Sequence, residues 1–141
     1  MAGNTTLTII KPDAFGAGKA GKIIALLEEK GFTVKAARVM QMTKAQAGEF
    51  YAIHRERPFY GELVQFMTSG PCMPIVLAKA GAVSALRDAI GATDPAEAAA
   101  GTVRKLYAES KGRNAIHASD SDENAEREAL FFFAETDLLW G

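Results

Sequence analysis

The sequence is short of most features that would mark a specialised chain. It has one cysteine, Cys72, so no disulfide can close within the chain, and a bridge-stapled fold is excluded. Its apolar runs, such as Ile75 to Ala78 and Ala129 to Ala134, fall far short of the roughly 20 residues that a membrane span needs. Charge of one sign is missing too. Sixteen basic residues face 17 acidic ones for a net charge of −1, which predicts no nucleic-acid partner and no membrane surface. Any anion site must therefore be assembled locally. The stretch Met1 to Thr6 has neither the basic nor the apolar segment of an export signal, and with the lone thiol this predicts a cytoplasmic protein. Histidines number two, His54 and His117, and no repeat or low-complexity linker interrupts the chain. What is present is 141 residues at 48% hydrophobic content, enough for one core, so a single domain over residues 1–141 is expected.

The pattern of apolar residues predicts an alternation of strands and helices. Thr5 to Ile10 is β-branched and apolar, and Lys11-Pro12-Asp13 ends it. Ile23, Ile24 and Leu27 give a helix over Lys22 to Glu29 that stops at Gly31. Val34, Ala36, Met40 and Met42 share one parity, which predicts a second strand within Thr33 to Met42. Thr43 and Gln46 make a capping box for a helix carrying Ala47, Phe50, Tyr51 and His54 and closed by Pro58; Phe59, Leu63, Phe66 and Met67 line the next. A third strand is expected over Ile75 to Ala78, with Pro74 arguing against full pairing before it. Val83, Leu86 and Ile90 form a helical stripe to Gly91, and Thr93-Asp94-Pro95-Ala96-Glu97 reads as a helix restart. Thr102 to Gly112 reads as irregular. A fourth strand over Asn114 to Ala118 and a helix through Ala125, Ala129 and Phe132, capped by Ser119, Asp120 or Ser121, complete the chain. This order predicts an α/β fold of ferredoxin-like βαββαβ type: a four-stranded antiparallel sheet with helices packed on it and an insertion before the last strand.

Few residues are equipped for chemistry. Gly16 to Lys22 satisfies G-x-x-x-x-G-K, but Ile23 stands where a phosphate loop needs Ser or Thr for Mg²⁺, and a solvated turn is the better account. His54, beside Arg55 and Arg57, reads as a structural histidine. His117 lies at a strand end feeding a helix N-terminus, where backbone N–H groups favour phosphate; it reads either as a nucleophile or as a cap for that helix. Glu128 borders the apolar stripe of the last helix and wants a partner. If that partner is His117, the carboxylate accepts a hydrogen bond from one ring N–H and leaves the other nitrogen nucleophilic; the alternative is a surface pair with Lys or Arg. Lys11, Arg87, Thr93, Arg104 and Asn114 are scattered candidates for phosphate and sugar contacts, each alone compatible with a solvated surface, and Phe59 is a candidate for base stacking or for core.

Several stretches taken together resemble nucleoside diphosphate kinases over essentially the whole chain: Thr8-Ile9-Ile10-Lys11-Pro12-Asp13, Phe50-Tyr51 through Arg57-Pro58-Phe59-Tyr60, Ser69-Gly70-Pro71, Gly91-Ala92-Thr93-Asp94-Pro95-Ala96, Gly101-Thr102-Val103-Arg104, and Asn114 to Ser121. The resemblance implies that His117 carries the γ-phosphoryl group of a nucleoside triphosphate, mainly ATP, as phosphohistidine to a second nucleoside diphosphate. It implies Lys11 at the ribose 3′-hydroxyl and phosphates, Asn114 at the sugar, and Arg87, Thr93 and Arg104 at the phosphates. Phe59 would stack on the base, Tyr51 would lie beside the histidine and Glu128 would orient its ring. Mg²⁺ would be held mainly by phosphates and water, and the assembly would be a homotetramer or homohexamer. Stacking accepts any π face, so broad base specificity is expected.

The family usually writes His-Gly-Ser-Asp where this chain has His117-Ala118-Ser119-Asp120. Alanine there would be strained if the glycine serves a positive φ, or would crowd the phosphate if it serves close approach. The fold alone also fits a non-catalytic nucleotide- or small-ligand-binding regulatory domain. An RNA-binding module does not fit, since the aromatic strand pattern is missing. The tail Leu138-Leu139-Trp140 is apolar enough to want cover, from a neighbouring subunit or its own.

Overall fold

The computed structural model describes residues 3–139. Its central strand is β1 (Thr5–Ile10), buried at every position after Thr5. It pairs antiparallel with β3 (Met73–Ala78) on one side and β4 (Ile116–Ala118) on the other, and β3 pairs with β2 (Thr33–Ala37), giving the order β2-β3-β1-β4. Helices α2 (Ala20–Glu29) and α5 (Ala82–Ile90) connect the strands of the two halves, so the architecture is the expected ferredoxin-like one. A hairpin of α3 (Lys44–Phe50) and α4 (Tyr60–Met67) lies between β2 and β3, and the insertion before β4 carries α6 (Val103–Tyr107).

The sheet is covered on both faces. On one, Ile10, Ile75, Leu77 and Ile116 pack with Ile23, Leu27, Leu86 and Ile90. On the other, Leu7, Ile9 and Val76 pack with Ala47, Phe50, Tyr51, Ala129 and Phe132, the last two from α7 (Asp122–Phe132). Two-sided burial explains why β1 and β3 read as continuous apolar runs rather than alternating ones. His117 is opposite Ile9 in the β1–β4 register, so it shares the face covered by α3 and α7.

Several boundaries differ from expectation for local reasons. Lys11-Pro12-Asp13 ends β1 but also starts a short helix, α1 (Pro12–Gly16): Lys11 is an extended N-cap, proline sits in the first turn where its missing N–H is harmless, and Asp13 faces the positive end of the dipole. A bulge between Val34 and Ala36 breaks the alternation within β2, which stops at Ala37 where Pro74 has no N–H to return the bond from Arg38; Met40 makes only an isolated bridge to Cys72. Pro74 is inside β3, opposite Ile9; its carbonyl accepts from Arg38 N–H on the β2 side, so its missing N–H falls just past the last β2 pair, Ala37 with Ile75. α3 ends at Phe50, leaving His54 on a 3₁₀ turn, Ala52–His54. The Thr93 to Glu97 stretch is a turn in which Asp94 Oδ1 accepts from Ala96 N–H, not a helix, whereas the supposedly irregular segment holds α6, capped by Thr102. β4 is shorter than Asn114 to Ala118 because Ala115 has φ 74° and leaves the strand conformation. The cap of α7 is Ser121, whose hydroxyl accepts from Asn124 N–H. Gly16 to Lys22 spans the end of α1, a largely exposed turn over Ala17 to Lys19 and the start of α2, so it follows a helix and not the strand a phosphate loop needs. Leu138 packs on the second core and Leu139 is exposed; Trp140 lies outside the described residues, as do Met1 and Ala2. Among the described residues no helix is long and apolar enough to cross a membrane.

Candidate active site

The ends of β1 and β4 deliver the two residues on which the site is built. β1 runs out into Lys11, and β4 carries His117 beside it. Helix α7 then returns over the second face and brings Glu128 against the imidazole: His117 Nε2 is 2.7 Å from Glu128 Oε1. Both side chains are sheltered, at 18% and 8% exposure. Ser119 Oγ donates to the same carboxylate oxygen at 2.8 Å, and Arg127 lies 3.6 Å from the other oxygen. Glu128 therefore has both the partner that a buried acid requires and a cation at its rim. With Nε2 committed to the carboxylate, Nδ1 is left as the ring nitrogen carrying a lone pair.

The ring is also fixed by packing. Phe50 meets it edge-on with centroids 5.5 Å apart, and Tyr51 does so at 6.3 Å. The Tyr51 hydroxyl is buried without a hydrogen-bond partner among the described residues, and burial together with the nearby Glu128 charge pushes its pKa far above the usual phenol. Thr8 Oγ1 donates to the His117 carbonyl at 2.6 Å, which ties the backbone of the histidine to β1.

Beside this pair lie Lys11 and Arg104, which make no ion pair with a carboxylate among the described residues. Lys11 Nζ donates to Asn114 Oδ1 at 2.9 Å, and burial, reinforced by Arg104, pulls its pKa down to about 8 against the opposing pull of Asp13. Arg104 donates to the carbonyls of Gly91 and Ile116 at 3.1 and 2.8 Å. Its Nε is buried without a partner among the described residues, and burial plus the charge of Arg87 lowers its pKa to about 10. Buried positive groups bonded only to neutral acceptors are a site waiting for an anion. Arg104 links Lys11 and Asn114, through the strand backbone, to an open cavity of about 420 Å³ lined by Arg87, Gly91, Thr93, Thr102 and Arg104 among others. Arg87 and Thr93 are exposed there. Asp120 has its pKa lowered, first by the amide of Asn124 and further by Arg87. No cluster of three carboxylate, thiol or imidazole groups able to hold a metal exists among the described residues.

Thus Lys11, Arg87, Thr93, Arg104, Asn114, His117, Glu128 and Tyr51 fall in one neighbourhood of the fold. Phe59 does not join the cavity lining. It is 47% exposed on the α3–α4 hairpin, with the His54 ring 5.4 Å away. Sequence reasoning assigned Ser119 to capping and missed Phe50, Thr8 and Arg127. Ser119 had a signal, since it shares strand parity with His117; the other contacts join distant segments and had none.

The profile of the nucleoside diphosphate kinase family matches residues 4–138. A nucleoside diphosphate kinase of Chlorobium luteolum is 60% identical over 134 residues, covering 95% of this chain and 96% of the relative. That of Gluconacetobacter diazotrophicus is 52% identical over 139 residues, covering 99% of each. Among solved structures, the Aquifex aeolicus nucleoside diphosphate kinase superposes with a TM-score of 0.94 at 45% identity, covering 96% of this chain and 99% of that one.

Proposed function

Because this chain belongs to the nucleoside diphosphate kinase family, we propose that it moves the γ-phosphoryl group of a nucleoside triphosphate, mainly ATP, to a nucleoside diphosphate in two half-reactions through His117. The observation that carries this reading is the 2.7 Å contact from His117 Nε2 to the buried Glu128, beside cations that lack an anion. In the first half-reaction the Nδ1 lone pair forms a bond to the γ-phosphorus. The bond from that phosphorus to the bridging oxygen breaks, and the nucleoside diphosphate leaves with the electron pair. In the second, a terminal phosphate oxygen of another nucleoside diphosphate attacks, the N–P bond breaks and the imidazole recovers its lone pair. Glu128 holds the Nε2 proton throughout and stabilises positive charge on the phosphorylated ring.

The other residues bind. Arg104 and Lys11 meet the phosphates from their buried positions, Arg87 and Thr93 from the cavity wall, and Asn114 the sugar, which Lys11 also reaches. Tyr51 supports the ring of His117 edge-on. Phe59 stacks on the base from the rim, which admits purines and pyrimidines alike, ribo and deoxy. The nucleotide phosphates would hold Mg²⁺, because a pocket of cations with the orphaned Arg104 Nε suits phosphate oxygens and not a bare divalent ion. The ion would there offset charge developing on the phosphoryl oxygens. The reading treats residues 1–141 as one domain. A homotetramer or homohexamer fits the apolar side chains left exposed at Val39, Leu106, Leu130 and Leu139, and a cytoplasmic setting fits the single free thiol of Cys72.

Incubation with γ-labelled ATP and Mg²⁺ tests the reaction. The folded protein is expected to take up label that is base-stable and acid-labile, and His117→Ala to take up none, a loss on the order of 10⁴-fold or more. Well-folded wild-type protein without label would instead favour a regulatory nucleotide-binding domain.

A further inference from the structure

Ala115 is the only non-glycine among the described residues with a positive φ, 74°. A Cβ disfavours that region, and the position is two residues before the phosphate-accepting histidine. The Ile116 N–H donates to the Asn114 carbonyl at 2.9 Å, closing a three-residue γ-turn about Ala115 of the rare, strained hand. Alanine does not ask for this conformation, so its surroundings must impose it.

The imposing contacts both come from the start of α1. Lys11 N–H donates to the Ala115 carbonyl at 2.9 Å, and Ala115 N–H donates to Asp13 Oδ2 at 3.0 Å. Three groups are set by the turn thus held. The Asn114 side chain meets Lys11 Nζ, the Ile116 carbonyl meets Arg104 and the next residue is His117. We propose that Asp13 is a positioning residue for phosphoryl transfer, its carboxylate holding the strained Ala115 turn that sets Asn114, Arg104 and His117 relative to one another. The inference rests on the phosphohistidine reading above. Asp13 also sits in the first turn of α1, where an acid suits the helix dipole. A carboxylate with only that duty would be indifferent to what stands at residue 115, which gives the test its power.

Uptake of label from γ-labelled ATP is followed by rapid quench, with kcat and KM, for wild type, Asp13→Ala, Ala115→Gly and the double variant. Asp13→Ala is expected to lower the phosphorylation rate and kcat about tenfold or more, with a smaller change in KM, because misplacement acts on the reacting geometry. Ala115→Gly is expected to recover at least about threefold in that background, since glycine enters positive φ without the clamp. Asp13→Asn, which keeps an oxygen acceptor and loses the charge, is expected to retain most of the rate. Labelling of Asp13→Ala at the wild-type rate, a loss that Ala115→Gly leaves untouched, or a folded Asp13→Asn as slow as Asp13→Ala would each overturn the role. If Asp13→Ala does not fold, Asp13→Ser, whose hydroxyl is too short to reach the Ala115 N–H, carries the test with and without Ala115→Gly: a folded Asp13→Ser that keeps the wild-type rate, or loses it and is not rescued, overturns the role. A wild type that takes up no label removes the phosphotransfer reading and this role with it, whereas a labelled wild type matched by Asp13→Ala removes this role alone.

Discussion

The two ends of the site are built in opposite ways. At the reacting end Glu128 and Lys11 are 6% and 9% exposed, and each polar side chain is tied to a residue from a different segment. At the proposed base end Ile53 and Phe59 are 62% and 47% exposed, and the aromatic neighbour of Phe59 among the described residues is the His54 ring, five residues away. The same residue type shows the contrast: His117 is held between a carboxylate and two aromatic rings, while His54 sits on a 3₁₀ turn against Phe59. Rigidity is concentrated where charge moves, since preorganised groups need not reorient during the reaction. Where the proposed contact is only with a π face, an exposed ring on a hairpin is sufficient and would tolerate any base.

Perturbing each end separates these demands. Glu128→Gln keeps the shape of the side chain but can present its amide N–H to Nε2 and stabilise the wrong tautomer, so kcat is expected to fall by about 10²-fold with little change in KM. Phe59→Ala should act in the reverse manner. Loss of a stacking surface weakens binding by about 1–3 kcal/mol, so KM is expected to rise about tenfold and by a similar factor for ATP, GTP, CTP and UTP. A selective rise for one base would show that the rim reads base edges.

The buried lysine adds a pH dependence. Burial and Arg104 lower Lys11 from 10.5 to about 8 in the folded chain. Between these values the unfolded state binds the extra proton, so the stability of the ligand-free enzyme rises with pH from about 8 toward 10.5, and the contribution is absent at lower pH. Nucleotide binding has the opposite preference, because only the ammonium attracts phosphate. KM is expected to climb a few-fold above pH about 8, and Lys11→Met should flatten both trends in kinetics and in thermal melts. The smallest effect concerns Ala118. It lies in β4 opposite Thr8 and is not among the positive-φ residues, so the backbone reason for a glycine there is removed. Ala118→Gly is expected to leave the rate equal or raised while lowering stability by about 0.5–1 kcal/mol in a denaturant titration, the ordinary penalty of glycine in a strand. A large loss of rate would show that the methyl group is part of how phosphate is received.

Much of the fold was readable because its signals are local. The capping box of Thr43 and Gln46, the apolar stripes of α2 and α5 and the β-branched run of β1 each report conformation within a few residues. The errors arose where a distant contact outvoted a local preference. Pro74 argues against full pairing before Ile75, and the β2 ladder does end at Ile75, yet β3 reaches back to Met73 because Ile9 and Ile10 of β1 pair with Pro74 and Met73. Asn114 and Ala115 looked like strand, yet the first turn of α1 pulls Ala115 out of it. Thr93 to Glu97 has cap chemistry but only turn geometry.

The candidate site divides along the same line. Residue types and their order were enough to single out His117, to suspect Glu128 of needing a partner and to collect the cations, because those properties belong to side chains and to spacing along a helix. Which ring nitrogen faces the carboxylate, that Ser119 shares it and that Asp13 grips Ala115 across the fold could not be read this way. Those facts depend on the pairing of β1 with β4 and on the return of α7, and a hydrogen bond between residues about a hundred positions apart is specified by three-dimensional packing rather than by either residue's neighbours in the chain.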